Sequence, residues 1–165
     1  SRVSPEKIMG YIYGVLHAPA YREKYIEQLK TGFPRIPFTE DKKLFEKLSD
    51  LGFELIQAHL LEKEFDSQYG ELIGSGNNIV KAPRFVEGKK LGKIYINETQ
   101  YFENVPKSVW EFHIGGFQVI DRYLKYRKDR VLGLEEIENV AKIVQSLAFT
   151  IDQMKKIDKL TNGWI

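Results

Sequence analysis

The chain has 165 residues, 42% of them hydrophobic and 29% charged, which is ordinary globular composition for a single domain able to bury a core. It contains no cysteine, so disulfides, thiolate metal sites and cysteine nucleophiles are excluded. No apolar run approaches the roughly 20 residues that cross a bilayer, and no secretory signal pattern is present, so a soluble, cytoplasmic protein is expected. The formal charge of +2 is unevenly spread. Residues 81–130 hold 11 Lys/Arg against 6 Asp/Glu, a net of +5, which leaves 14 against 17, a net of −3, for the remainder. A basic middle of this kind hints at a surface for a polyanion.

The chain opens Ser1-Arg2-Val3 without an initiator Met and meets a helix start almost at once, as expected of a fragment of a longer polypeptide. Ser4-Pro5-Glu6 supplies an N-cap, a proline at the first helical position and an acid at the positive end of the dipole. Ile8, Tyr11, Ile12 and Val15 then recur at helical spacing. A second helix starts at Pro19, with Tyr21, Tyr25 and Leu29 one turn apart, and Gly32 ends it. The prolines of Phe33-Pro34-Arg35-Ile36-Pro37-Phe38 make that segment an extended connector. Thr39 is placed to cap a third helix whose Leu44, Phe45, Leu48, Leu51, Leu55 and Ile56 face inward, with a kink or break expected near Gly52.

Past the turn-rich Gly74-Ser75-Gly76-Asn77-Asn78, β-branched and aromatic residues gather in short runs. Ile79–Val86, Lys93–Asn97 and Val109–Ile114 read as strands of one small, mostly antiparallel sheet, with a loop around Asn104-Val105-Pro106. Gly115-Gly116 then leads into a helix from about Phe117 to Lys128. The last helix carries Ile137, Val140, Ala141, Val144, Leu147, Ala148, Ile151, Met154 and Ile157 as one stripe, with glutamates in its first turn and lysines in its last. The fold class expected is α+β, read as a single domain in three parts: helical 1–66, β-rich 67–130, and the C-terminal helix within 131–165.

Catalytic patterns are few. His17, His59 and His113 are far apart in sequence and lack a ligand at i+4, so no metal is expected. Gly74-Ser75-Gly76 lacks the third glycine of a dinucleotide loop, since position 79 is Ile79, and no Walker lysine is present. Asp66 with Glu87-Gly88-Lys89 is only a loose match to a Mg²⁺ nuclease cluster, because Gly88 makes it a turn. Neither the Asn/Asp-Pro-Pro-aromatic loop of an adenine methyltransferase nor a glycine-rich cofactor loop occurs. No catalytic residue is expected within the chain.

The residues between Lys81 and Arg130 instead combine cations for phosphates with amide, hydroxyl and guanidinium groups for base edges. Lys81, Arg84, Lys89, Lys90 and Lys93 cluster around one hairpin. Asn97, Thr99, Gln100 and Tyr101 follow at a strand-to-loop transition. His113, Gln118, Arg122, Lys125, Arg127, Lys128 and Arg130 complete the candidate DNA-contacting set, which is expected to converge on one cationic face. Solvated turns and helix C-terminal charge compensation account for the same cations in the bland reading, and Tyr101, Phe102, Trp110, Phe112 and Phe117 read as core rather than as base-stacking surfaces.

Several strings resemble, in common order, the C-terminal specificity domain of the Type ISP family, the single-polypeptide Type I restriction-modification enzymes, and related DNA methyltransferases. They are Tyr11-Ile12-Tyr13-Gly14-Val15-Leu16-His17 with Pro19-x-Tyr21-Arg22; Phe33-Pro34-Arg35-Ile36-Pro37; Ile96-Asn97-x-Thr99-Gln100-Tyr101-Phe102; Val109-Trp110-Glu111-Phe112-x-Ile114-Gly115-Gly116-Phe117; Leu124-Lys125-x-Arg127-Lys128; and the final helix. The resemblance implies a division of labour in which an adjacent methyltransferase domain of the same polypeptide methylates adenine and this part selects the site on duplex DNA. It implies S-adenosylmethionine for the parent, with ATP and Mg²⁺ as further candidates, and no cofactor in this chain. The helical N-terminal part would then pack against the methyltransferase and the β-rich middle would read bases. On that footing Lys89, Lys90, Lys93, Arg127 and Lys128 are assigned to phosphates, and Arg84, Asn97, Gln100 and His113 to bases. Two other readings fit the residues: a protein-interaction module docking through Tyr11–Tyr25, and an RNA-binding domain stacking bases on Tyr95, Tyr101 and Phe102.

Overall fold

In the computed structural model, residues 2–165 are described; Ser1, the first residue of the expected fragment start, lies outside them. The elements in chain order are helices α1 (Pro5–Leu16), α2 (Pro19–Thr31) and α3 (Lys42–His59), and strands β1 (Leu72–Ile73), β2 (Arg84–Val86), β3 (Gly92–Tyr95) and β4 (Tyr101–Val105). Then come α4 (Lys107–Trp110), β5 (His113–Ile114), β6 (Phe117–Gln118), α5 (Val119–Lys125) and α6 (Leu134–Thr161). The fold is α+β, as the sequence pattern implies. The chain divides into two compact units: one runs to Lys63 and resumes over Phe149–Ile165, and the other is Glu64–Ala148.

The first unit is helical. The Ser4 hydroxyl accepts from the Lys7 amide at 3.3 Å, and Pro5 follows it at the first helical position. The cap of α3 is Asp41 rather than Thr39: its carboxylate accepts from the Lys43 and Leu44 amides at 2.8 and 3.3 Å, while Thr39 accepts from the Asp41 amide outside the helix. An ionised acceptor at a helix N-terminus also gains from the dipole, so Asp41 takes the cap. Helix α3 runs unbroken through Gly52, contrary to the expected kink. Gly52 is there for contact: a β-carbon on it would fall on the Gly10 carbonyl oxygen and 2.6 Å from the Gly14 nitrogen. The missing side chains let α1 and α3 pack backbone to backbone.

Around that crossing, Tyr11, Val15, Ala18, Tyr21, Leu48, Leu55 and Ile157 form the buried core. The connector is held by two tyrosines of this core. The Tyr11 hydroxyl donates to the Pro37 carbonyl at 2.7 Å and accepts from the Thr39 amide at 3.0 Å, and Tyr21 donates to the Arg35 carbonyl at 2.9 Å. Prolines leave their neighbours' carbonyls without strand partners, and the tyrosine hydroxyls supply them. Tyr11 also stacks between Phe38 and Phe45 at 5.0 and 4.9 Å.

The second unit centres on an antiparallel sheet in the order β1-β4-β3-β2, with β5 and β6 as a separate hairpin. Its core comprises Val80, Ile94, Ile96, Phe102, Val105, Val109, Ile120, Leu124, Leu132, Val140 and Val144. Three strand readings change. Ile79–Val86 narrows to β2, because Pro83 lacks the amide a ladder needs, and Ile79 and Val80 make only isolated bridges to Val131 and Lys128. Val109–Ile114 is not a strand of this sheet: Pro106 begins the one-turn helix α4, and only His113–Ile114 is extended, as half of a hairpin. Tyr101–Val105, partly read as loop, is the longest strand, with Asn104 at φ 56° within it. The helix read over Phe117–Lys128 is shorter, because Phe117–Gln118 pairs with β5 before α5 begins.

Candidate nucleic-acid interface

Strand alternation and register decide which side chains share a face. Phe85, Ile94, Phe102 and Leu72 lie in register, and Ile94 and Phe102 are fully buried, so these residues mark the core face of the sheet. The opposite face carries Arg84, Tyr95, Tyr101 and Ile73 in one row across the four strands, with Lys93 and Val86 paired on the next.

On that outer face cations and rings alternate. The Arg84 guanidinium lies 4.3 Å from the Tyr95 ring centroid, Tyr95 and Tyr101 are 5.0 Å apart, and the Lys93 ammonium is 4.4 Å from Tyr101. The negative faces of the rings hold both cations, and among the described residues no carboxylate pairs with either, so their charge is steered but not neutralised. At the β2–β3 turn Lys89 and Lys90 are exposed, and no ion pair involves them among the described residues. Beside Arg84 is an open cleft of about 620 Å³ lined in part by Asn77, Lys81, Asn97 and Thr99. Lys81 reaches Asp129 at 3.2 Å across its edge, close to exposed Lys128 and Arg130.

Two of the polar residues assigned to bases are turned to another task. Gln100 is 3% exposed. Its amide oxygen accepts from the Asn78 backbone amide at 2.8 Å and from Asn97 Nδ2 at 3.0 Å, and its amide nitrogen donates to Asn78 Oδ1 at 2.6 Å. Asn97 accepts from the Thr99 and Gln100 amides at 3.0 and 2.8 Å and donates to the Ile79 carbonyl at 3.1 Å, while Thr99 donates to the Ser75 carbonyl at 2.7 Å. With both acceptor positions of each amide oxygen engaged, Asn97 and Gln100 clamp the β3–β4 loop to the 75–79 turn and shape the cleft.

A second set of candidates rests on different elements. His113, Gln118, Arg122 and Lys125 line an open cleft of about 480 Å³ between the β5–β6 hairpin and α5. Lys125 is paired with Asp121 at 2.6 Å, and His113 Nδ1 is 2.6 Å from the Glu111 carbonyl. Arg122 has no carboxylate partner among the described residues; it packs on Phe117 at 3.5 Å and donates to the Tyr126 hydroxyl at 2.7 Å. Arg127 is committed elsewhere. It pairs with Glu136, donates to the Tyr123 carbonyl at 2.9 Å and covers the Tyr123 ring, and its hydrogen bond holds the Glu136 carboxyl below its ordinary range. Arg130 adds a longer contact to Glu136 at 3.5 Å. The candidates therefore fall into two sets on different elements, with Gln100, Asn97 and Arg127 as internal ties.

Sequence reasoning also missed a cluster in the helical unit. His17 and His59 have ring centroids 5.4 Å apart, the Tyr13 hydroxyl is 2.6 Å from His59 Nδ1, and His59 Nε2 is 2.8 Å from Thr150 Oγ1. Burial, with nearby Arg22 adding to it, lowers both imidazoles; His17 falls to about 4. Among the described residues no group of three or more His, Cys, Asp or Glu is placed to hold a metal ion. No helix among the described residues is long and apolar enough to cross a membrane.

The family model of the Type ISP C-terminal specificity domain matches residues 1–156. The chain belongs to this family. The specificity domain shares its fold with solved structures of larger proteins. A nuclease-deletion mutant of the Type ISP restriction-modification enzyme LlaGI, in complex with a DNA substrate mimic, superposes with a TM-score of 0.72 at 22% identity, covering 93% of this chain and 14% of that one. The ATP-dependent Type ISP restriction-modification enzyme LlaBIII bound to DNA gives 0.73 at 22%, over 94% and 11% of the two chains. The DrdV–DNA complex, determined by cryoEM, gives 0.72 at 21%, over 93% and 18%. The specificity domain thus spans less than a fifth of each of these proteins. No curated protein matches it.

Proposed function

We propose that this specificity domain selects the DNA target of a restriction-modification polypeptide, binding duplex DNA through its β-rich unit and presenting it to a methyltransferase domain of the same polypeptide. One observation carries the reading: the outer sheet face, where Arg84 and Lys93 are held on Tyr95 and Tyr101 with no neutralising acid among the described residues. Such cations retain their charge for phosphates and, in the case of Arg84, a bidentate fork for a guanine edge. Family membership and the DNA present in three structures of the same fold support it. Lys89, Lys90 and Lys128 serve as phosphate contacts that set register, and Lys81 and Arg130 reinforce them at the cleft.

The helical unit is the docking part. Phe33 is 98% exposed, and Met9, Ile26, Phe38 and Leu60 are also open to solvent, apolar side chains that a docked domain would cover. The rest of the parent polypeptide is its occupant in this reading. S-adenosylmethionine, and any ATP or Mg²⁺, would be bound outside these residues, which offer neither a glycine-rich cofactor loop nor a carboxylate cluster for a cation.

The test is a salt titration of the full chain with mixed-sequence duplex DNA and with single-stranded RNA. Duplex preference with a steep logarithmic salt dependence is expected, and the Lys89→Gln/Lys90→Gln variant should flatten the slope by about 2, near 0.9 per phosphate contact. Preference for RNA would point instead to Tyr95 and Tyr101 as base-stacking surfaces. Binding to neither would favour a protein-interaction module.

A further inference from the structure

We propose that the tip of the β5–β6 hairpin is an apolar wedge that enters the base stack of bound duplex DNA, with Ile114 and Phe117 as the inserted pair. This rests on the duplex-DNA reading above and adds to it a deformation of the DNA.

The hairpin turns through Gly115 and Gly116, with Gly115 at φ 60°, a left-handed conformation that glycine adopts without strain. A β-carbon built on either glycine would meet nothing within 4 Å, so the turn stands clear of the surrounding protein. Directly behind it Ile114 and Phe117 face each other across the two strands, and paired residues project from the same side. They are 59% and 54% exposed. Single exposed apolar residues need no explanation, but two side by side behind a projecting turn are placed to leave water only when something receives them.

The base of the hairpin is braced. Gln118 donates to the Trp110 carbonyl, the Val119 amide donates to the Phe112 carbonyl at 3.1 Å, and Trp110 stacks on Phe85 of the sheet at 6.0 Å. Phe117 is positioned from behind by Arg122, whose guanidinium lies 3.5 Å from the ring centroid and is fixed by its bond to the Tyr126 hydroxyl. Arg122 has no carboxylate partner among the described residues, so a positive charge sits beside the apolar pair. A duplex groove satisfies both features at once: a base step accepts the apolar side chains while the flanking phosphate meets the guanidinium. Side chains such as Phe and Ile inserted in this way unstack a step and kink the helix by roughly 20–90°.

The test is the linking number of a plasmid relaxed by a topoisomerase while saturated with the full chain, with binding to the same plasmid measured in parallel. The wild type is expected to shift the topoisomer distribution. Ile114→Ala/Phe117→Ala, brought to saturation of the same plasmid by raising its concentration, is expected to lose the shift, while Ile114→Leu/Phe117→Leu, which keeps apolar bulk, retains it. Wild-type binding without a shift, or an equal shift from the alanine variant, overturns the wedge and leaves DNA recognition standing. Should the alanine variant fail to fold or bind, the leucine variant decides: binding with the wild-type shift supports the wedge, and loss of the shift overturns it. No binding of the wild type to plasmid DNA at any salt concentration overturns the DNA reading and the wedge with it.

Discussion

Arg84 and Tyr95 face each other across β2 and β3, and the guanidinium lies 4.3 Å from the ring centroid. The ring fixes a side chain that would otherwise sample many rotamers, so less ordering entropy is lost when the fork meets a base. Arg84→Ala should weaken binding to the preferred duplex by about 1–3 kcal/mol and relax selection at one position. Arg84→Lys keeps the charge without the fork, so it should recover nonspecific affinity and not selectivity. Competition assays with singly substituted duplexes measure both.

Gln100 makes the opposite prediction. Removing its amide strands the Asn78 backbone amide and the Asn97 side chain inside the loop clamp. Gln100→Ala should destabilise the fold by about 2–4 kcal/mol, from unpaired buried polar groups, while the folded fraction binds DNA within about threefold of wild type. Urea denaturation and binding measured at low temperature separate the two effects. A stable variant that has lost selectivity would make Gln100 a base reader after all.

Gly52 tests the helical unit. Alanine raises intrinsic helix propensity, yet its β-carbon would collide with the backbone of α1 at Gly10 and Gly14. Forcing the helices apart should outweigh that gain, so Gly52→Ala is expected to lower unfolding free energy by about 2–3 kcal/mol. Chemical denaturation that shows the variant to be more stable would contradict the crossing.

The His17–His59 pair makes stability depend on pH. Burial holds His17 at about 4, against an unfolded value near 6.5, and lowers His59 in the same direction. Between those values the unfolded chain binds the proton and the folded one does not. The His17 contribution is therefore complete above about pH 6.5 and is lost as the pH falls toward 4, by about 1.4 kcal/mol per pH unit, and His59, lowered by burial, adds a loss of the same sign. The thermal midpoint should drop between pH 7 and pH 5, and His17→Gln should reduce the drop. An unchanged midpoint in the wild type would contradict the burial of the pair.

The helices were legible in the sequence because each announces itself locally: Ser4-Pro5 and Pro19 start two of them, and the apolar stripe of the last runs for several turns. The sheet was less so. Glu103-Asn104 interrupts the alternation of β4, and the β-branched and aromatic residues of Val109-Trp110 read as strand although Pro106 begins a turn of helix there. Of the row on the outer sheet face, composition picks out Arg84 and Lys93 as cations, whereas Tyr101 reads equally as core and Tyr95 belongs only to the RNA alternative, because which side of a strand a ring takes depends on register. The hydrogen bonds of Asn97 and Gln100 were not legible because an amide after a strand looks the same in sequence whether it faces solvent or closes a turn. The histidine cluster could not be read, since His17 and His59 meet only once α1 and α3 cross.

Selection of bound sequences from a pool of duplexes with a randomised core is the most direct measurement of target recognition by the β-rich unit. The wild-type chain is predicted to enrich one short motif, and Arg84→Ala to enrich it with one position blurred. Recovery of no motif by a folded chain that binds the pool, or of the same undegraded motif by Arg84→Ala combined with Lys93→Ala, would contradict the assignment of this sheet face.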